Sequence, residues 1–269
     1  MSAALELRHA ALGYGSRRLW HDLDLSVAPG EFLAVLGANG SGKTSLLRAV
    51  LGLQPLTSGA VLVGGRPAHR GSPLIGYVPQ QRPLDPFTPL RARDVVGQGI
   101  DGHRWGVGSL RGARRADRRR RVDEVLAEVG ASEYAHLPVG LLSGGEQQRV
   151  RIGQALATDP ALLLCDEPLL SLDLNHQAAV TELIDRRRRE RDTAVVFVTH
   201  EINPVLPFAD RVLYLAEGRF RIGTVDEVMT SSTLSALYGR PVDVVRIGDR
   251  VVVAGVPDLH AHHDAAVAP

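Results

Sequence analysis

Eight consecutive residues, Gly37-Ala38-Asn39-Gly40-Ser41-Gly42-Lys43-Thr44, fit the pattern G-x-x-x-x-G-K-[ST] at every specified position. The glycines let successive backbone N–H groups turn inward around an anion. Lys43 can reach the β- and γ-phosphates of a nucleotide as a point charge. Thr44 can place a hydroxyl on Mg²⁺, and Ser45 follows at the same edge. The spacing therefore predicts a phosphate-binding loop. Further along, Asp166 and Glu167 close an apolar run. A phosphate loop needs an acidic partner for Mg²⁺ beside it, which suits Asp166. Glu167, directed the other way, is placed to align a water for attack on the γ-phosphate. His200 ends another apolar run and could hydrogen-bond a phosphate oxygen and that water. Gln80, in Tyr77-Val78-Pro79-Gln80-Gln81, could bring its amide to Mg²⁺ or water. Singly, each of these has an ordinary reading as a polar strand end.

These groups require elements to hold them. Phe32-Leu33-Ala34-Val35-Leu36 reads as a buried strand feeding the loop, and Leu46, Leu47, Val50 and Leu51 recur at helical spacing behind it. That order sets a helix N-terminus against phosphate. Residues 161–165 and 194–198 read as two more buried strands. Ligands gather at the strand ends along one edge of a parallel sheet, so an α/β fold is expected.

The whole chain limits the options. Its 269 residues suit one large domain or one domain with subdomains. Hydrophobic residues make up 44% and aromatics 4%, so the core must be aliphatic. A net charge of +1 singles out neither nucleic acid nor an acidic partner. The single cysteine, Cys165, forbids an intrachain disulfide and suits a reducing compartment. Residues 1–8 lack a long apolar stretch, and no apolar run approaches a membrane span. A soluble or peripheral protein is expected, with any span supplied by another chain. No solenoid-length repeat is present. Two arginine runs, residues 118–121 and 186–189, adjoin amphipathic patterns. They read as solvated helix faces in preference to a basic patch for lipid or nucleic acid.

Leu142-Ser143-Gly144-Gly145-Glu146-Gln147-Gln148-Arg149 offers another anion site: a hydroxyl at Ser143, backbone N–H groups at Gly144 and Gly145, and a helix starting near Glu146. This stretch resembles the LSGGQ-type signature of ATP-binding cassette (ABC) ATPases, and the likeness covers roughly residues 5–240. The resemblance implies a P-loop NTPase (RecA-like) core with an antiparallel β subdomain and an inserted α-helical signature subdomain. It implies an ATPase domain over residues 1–225, with the helical insert at about 87–154, followed by an extension over 226–269. It also implies two cassettes closed head to tail, each signature covering the partner's ATP. By the same likeness Tyr14 stacks on adenine, and residues 37–44 form the Walker A loop. Gln80 contacts Mg²⁺ and couples to the membrane partner, and Asp166 is the Walker B carboxylate. Glu167 is the catalytic glutamate, Ser171-Leu172-Asp173 the D-loop and His200 the switch histidine. ATP and Mg²⁺ are the implied ligands. The implied partners are a second cassette, an integral membrane permease and, indirectly, an extracytoplasmic solute-binding protein, at the cytoplasmic face of the membrane.

Cys165, Leu169-Leu170 and Gly153-Gln154 depart from the family's commoner residues, and none of them removes a phosphate, metal or water ligand. Residues 83–89 and 237–242 and the single-cassette format look like the ATPases of zinc and manganese importers. His260, His262 and His263 read either as metal ligands or as incidental residues of a frayed tail. Siderophore, haem and cobalamin importers and exporter cassettes use similar chains. A soluble ABC ATPase of DNA repair would carry long coiled coils between loop and signature, and that interval holds no sustained heptads.

Overall fold

The computed structural model of the chain describes residues 3–15, 17–80, 88–101 and 113–255. Among these, six strands form one sheet in the order β10-β9-β3-β8-β7-β6. They are β3 (Phe32–Gly37), β6 (Ile75–Val78), β7 (Leu162–Asp166), β8 (Ala194–Val198), β9 (Arg211–Ala216) and β10 (Arg219–Gly223). All neighbouring pairs run parallel except β9 with β10. Every residue of β3, β7 and β8 is buried, which is why these strands read as unbroken apolar runs.

Alternate residues of these strands serve two different cores. Phe32, Ala34, Leu36, Leu163, Cys165, Val195 and Phe197 face one, where the rings of Phe32 and Phe197 stack at 5.5 Å. Leu33, Val35, Leu162, Leu164, Val196 and Val198 face the other. This second core is covered by helix α1 (Lys43–Val50) and by an antiparallel sheet of order β2-β1-β4-β5. That sheet comprises β1 (Leu5–Tyr14), β2 (Arg17–Val27), β4 (Ser58–Val63) and β5 (Arg66–Pro67). The first core is covered by helices α2 (Ala92–Asp101), α3 (Ala113–Glu128), α4 (Gly144–Leu156) and α5 (Leu174–Arg191). The sheet is thus a middle layer whose strand ends hold the loop, the carboxylates and the histidine.

Behind β10 come α6 (Val225–Val228), α7 (Ser231–Tyr238) and a hairpin of β11 (Asp243–Ile247) and β12 (Arg250–Ala254). Val228, Leu234, Leu237, Tyr238, Val242 and Val251 from this segment join the first core, and Tyr238 Oη lies 3.1 Å from Tyr214 Oη. The histidines at 260, 262 and 263, like residues 83–87, lie outside the described residues.

One expectation is corrected. The run at 186–189 is only partly a solvated face. The Arg187 side chain is 1% exposed and meets Glu128 at the end of α3, Asp159 before β7 and Thr193 before β8. Arg188 reaches Asp185, Asp210 and the carbonyl of Gly30. In the other run, Arg121 donates to the carbonyls of Leu156 and Ala157. These guanidiniums join helices to the sheet because a planar fork can satisfy several acceptors at once.

Candidate functional site

The loop after β3 takes its path from two glycines. Gly37 has φ 141°, and a Cβ there would stand 2.1 Å from the Leu215 carbonyl oxygen. Gly42 caps α1 with φ 103°, and a Cβ there would stand 2.9 Å from Trp20 Nε1. A side chain at either position meets both a strained backbone and an occupied space. The residues between open onto a cleft of about 270 Å³ lined by Tyr14, Arg17, Asn39, Lys43, Thr44, Ser45, Gln80 and Glu167, among others.

Lys43 is buried, and its Nζ donates to the carbonyls of Gly37 (2.6 Å) and Ala38 (3.2 Å). Burial lowers its pKa, and the charges of Glu167 and Asp166 oppose that. Ser41 Oγ is buried without a hydrogen-bond partner among the described residues. A preorganised cation, an unpaired hydroxyl and the start of a helix at one turn suit an anion.

Asp166 ends β7 beside the loop. Its Oδ1 accepts from Thr44 Oγ1 at 3.3 Å and its Oδ2 from Tyr77 Oη at 3.4 Å. Burial pushes the Asp166 carboxyl up, while these two hydroxyls pull it down. Burial, the Asp166 charge and the bond to Asp166 together push the Tyr77 phenol up to about 12. A buried carboxylate paired with a threonine hydroxyl is a hard-oxygen donor set, which fits Mg²⁺ beside phosphate.

Glu167 stands just past the strand with φ 47°, and its N–H bonds the carbonyl of Val198 at the end of β8. From there its Oε2 lies 2.8 Å from His200 Nδ1. That contact raises the His200 pKa, burial lowers it, and the sum is upward. Gln80 lines the same cleft from the end of β6. The Tyr14 ring is half exposed at its mouth, with Oη bonded to Gln54 Oε1 at 2.7 Å and 3.3 Å from Ser45 Oγ.

Ser143, Gly144, Gly145 and Glu146 and the carboxylate of Asp173 are not in the cleft lining. Ser143 caps α4. Its Oγ accepts from Glu146 N, and Glu146 Oε2 accepts from Ser143 N, a reciprocal pair. The helix therefore starts at Gly144, ahead of the expected Glu146. Asp173 caps α5.

Sequence reasoning missed three residues. Tyr77 bonds the Asp166 carboxylate, Arg17 donates to the Gly40 carbonyl across the loop (2.8 Å), and Trp20 underlies Gly42. Each contact depends on strand register or on residues far away in sequence. Only the capping box carried a local signal, the Ser143-x-x-Glu146 spacing.

The profile of the ABC transporter family matches residues 20–170. Over 241 residues the chain is 36% identical to the zinc import ATP-binding protein ZnuC of Yersinia enterocolitica, covering 89% of this chain and 87% of that one. It is 32% identical over 248 residues to the iron(3+)-hydroxamate import ATP-binding protein FhuC of Bacillus subtilis, covering 90% of each. A solved chain of an ABC transporter in an inward-facing conformation superposes with a TM-score of 0.77 at 27% identity, covering 94% of this chain and 96% of that one. With a phosphate loop, a buried aspartate, and a glutamate–histidine pair on one sheet edge, the chain belongs to the ABC transporter family as one of its ATP-hydrolysing subunits.

Proposed function

We propose that the chain drives import of a metal ion, zinc or manganese, through a separate membrane permease, hydrolysing ATP in a head-to-tail pair of cassettes. The observation that carries the pairing is the separation of the two anion-type elements. The loop cleft holds Lys43, Thr44, Gln80 and Glu167, while Ser143–Glu146 and Asp173 lie outside its lining. A second copy facing the first would bring its signature to this cleft. Leu141 and Leu174, next to the signature and the Asp173 cap, are 71% and 76% exposed, as befits a face that a second copy covers.

In this reading adenine stacks on Tyr14 and the residues 37–45 hold the phosphates, with Lys43 exchanging its carbonyl partners for phosphate oxygens. Thr44 and Asp166, with Gln80, would hold Mg²⁺, which neutralises phosphate charge when bound. Glu167 takes the proton of the attacking water, and His200 orients the carboxylate and donates toward the γ-phosphate. Ser143, Gly144 and Gly145 of the partner cover the same phosphates, with Glu146 fixing their turn.

The zinc or manganese assignment is supported by the likeness to a zinc import protein. Likeness to a hydroxamate importer subunit, at similar coverage, supports a ferric siderophore as the second reading. Among the described residues no helix is long and apolar enough to cross a membrane, so the reading places the solute path in another chain.

Two experiments test this. Glu167→Gln should keep ATP binding, lose turnover and accumulate an ATP-bound dimer. Normal hydrolysis by that variant would move the catalytic role elsewhere. Deleting the gene should lower cellular zinc or manganese uptake. Loss of siderophore uptake alone would replace the metal-ion reading with the second one.

A further inference from the structure

The signature turn and the Asp173 cap meet on one side chain. Asp173 Oδ1 accepts the backbone N–H of His176 at 2.9 Å, and Oδ2 lies 2.6 Å from His176 Nδ1. The opposite edge of the imidazole lies on Gly145. A Cβ built at Gly145 would stand 2.1 Å from His176 Cδ2 and 2.8 Å from Nε2. The ring, 42% exposed, therefore touches both the carboxylate that caps α5 and the backbone that opens α4.

The two ends so joined belong to different parts of the fold. Helix α4 packs chiefly on α2, within the helical segment between β6 and β7. Asp173 ends the loop between β7, which carries Asp166, and α5. A rigid planar ring bonded to one part and seated on the other limits their independent movement. A side chain at 145 would have to displace the imidazole from this seat.

We propose that His176 is a positioning residue that fixes Asp173 to the signature turn, so that both are presented to the partner copy as one surface. The proposal rests on the head-to-tail reading above. It assigns His176 no contact with nucleotide. Its role is to hold the signature at the angle and depth that the partner's cleft requires.

The test uses the full chain carrying Glu167→Gln, and reads the ATP concentration that gives half-maximal dimer by light scattering. His176→Leu keeps bulk and removes the donor. It should raise that concentration about two- to fivefold, as expected for losing an exposed hydrogen bond to a carboxylate. His176→Asn places an amide N–H where Nδ1 stands and should restore most of the loss. ATP binding to the monomer at low protein concentration, and the melting temperature without ATP, should be the same in both variants. Rescue by Asn with failure of Leu is what a role in mere space-filling cannot produce. Parent-like dimerisation by His176→Leu, or equal loss in Leu and Asn, would overturn the proposal and leave the head-to-tail reading standing. If the Glu167→Gln parent itself forms no ATP-dependent dimer, both fall together.

Discussion

His200 Nδ1 stands 2.8 Å from Glu167 Oε2, and the two residues come from the ends of adjacent parallel strands. This contact fixes both the carboxylate and the direction in which the imidazole faces. Glu167 raises the His200 pKa above its usual 6.5, with Glu201 adding to it and burial and Lys43 opposing. The sign of the linkage follows. A raised folded-state pKa means that the stabilisation is complete below 6.5 and is lost as pH rises through the folded value. In the nucleotide-free protein, the His200 ring protons should titrate by NMR with a midpoint above that of a free histidine. Glu167→Gln should bring the midpoint down. An unchanged midpoint would show that the carboxylate does not hold the ring.

Lys43→Ala should weaken nucleotide binding more than Tyr14→Ala. On the proposed reading the lysine meets the phosphates in a buried site where a charge is weakly screened, whereas base–aromatic stacking is worth about 1–3 kcal/mol. Tyr14→Phe should change affinity little, because the hydroxyl it removes faces Gln54 and Ser45 and leaves the ring face intact. Calorimetric titration with ATP orders the three. Equal affinity for wild type and Lys43→Ala would contradict the phosphate role.

Gly42→Ala tests the loop's backbone. The new methyl would meet Trp20 Nε1 at 2.9 Å and Leu19 Cβ at 3.2 Å, at φ 103°. Trp20 is fully buried. Strain at an unfavourable φ together with overpacking costs about 1–3 kcal/mol each. Chemical denaturation should show a loss of at least that size, accompanied by loss of ATP binding. A variant as stable as wild type would mean that the β2–α1 contact yields easily.

The parts of this protein legible in its sequence are those whose cause is local. The runs at 32–36, 161–165 and 194–198 announce strands because both their faces are buried, and the structure places strands at 32–37, 162–166 and 194–198. The phosphate loop is legible because its glycines and Lys43 act within one turn. Tyr77 is not, since its bond to Asp166 arises from the pairing of β6 with β7, where Tyr77 stands opposite Leu164. The contact of His176 with Asp173 and Gly145 is only half local. The cap spans one turn, but the seat on Gly145 depends on the packing of α4 against α5. The arginine run at 186–189 fails for the same reason, because charge periodicity cannot show carboxylates that lie elsewhere in the chain.

Arg187 turns that failure into a measurable expectation. Its guanidinium joins Glu128, Asp159 and Thr193, so it ties α5 to α3 and to the approaches of β7 and β8. Arg187→Met removes the buried charge and strands Glu128, 20% exposed, and Asp159, 54% exposed and able to rehydrate, so a loss of about 1–3 kcal/mol is expected. Arg187 holds the Asp159 carboxyl below its usual 3.8. A depressed folded-state pKa gives stability that is present above 3.8 and is lost as pH falls through the folded value. The gap between wild type and Arg187→Met should therefore be full at neutral pH and narrow in acid. Urea denaturation at pH 7 and at a pH well below 3.8, under the folded-state value, measures both ends. A gap of the same size at the two pH values would show that Arg187 acts through packing and its bond to Thr193, with the Asp159 pair contributing nothing.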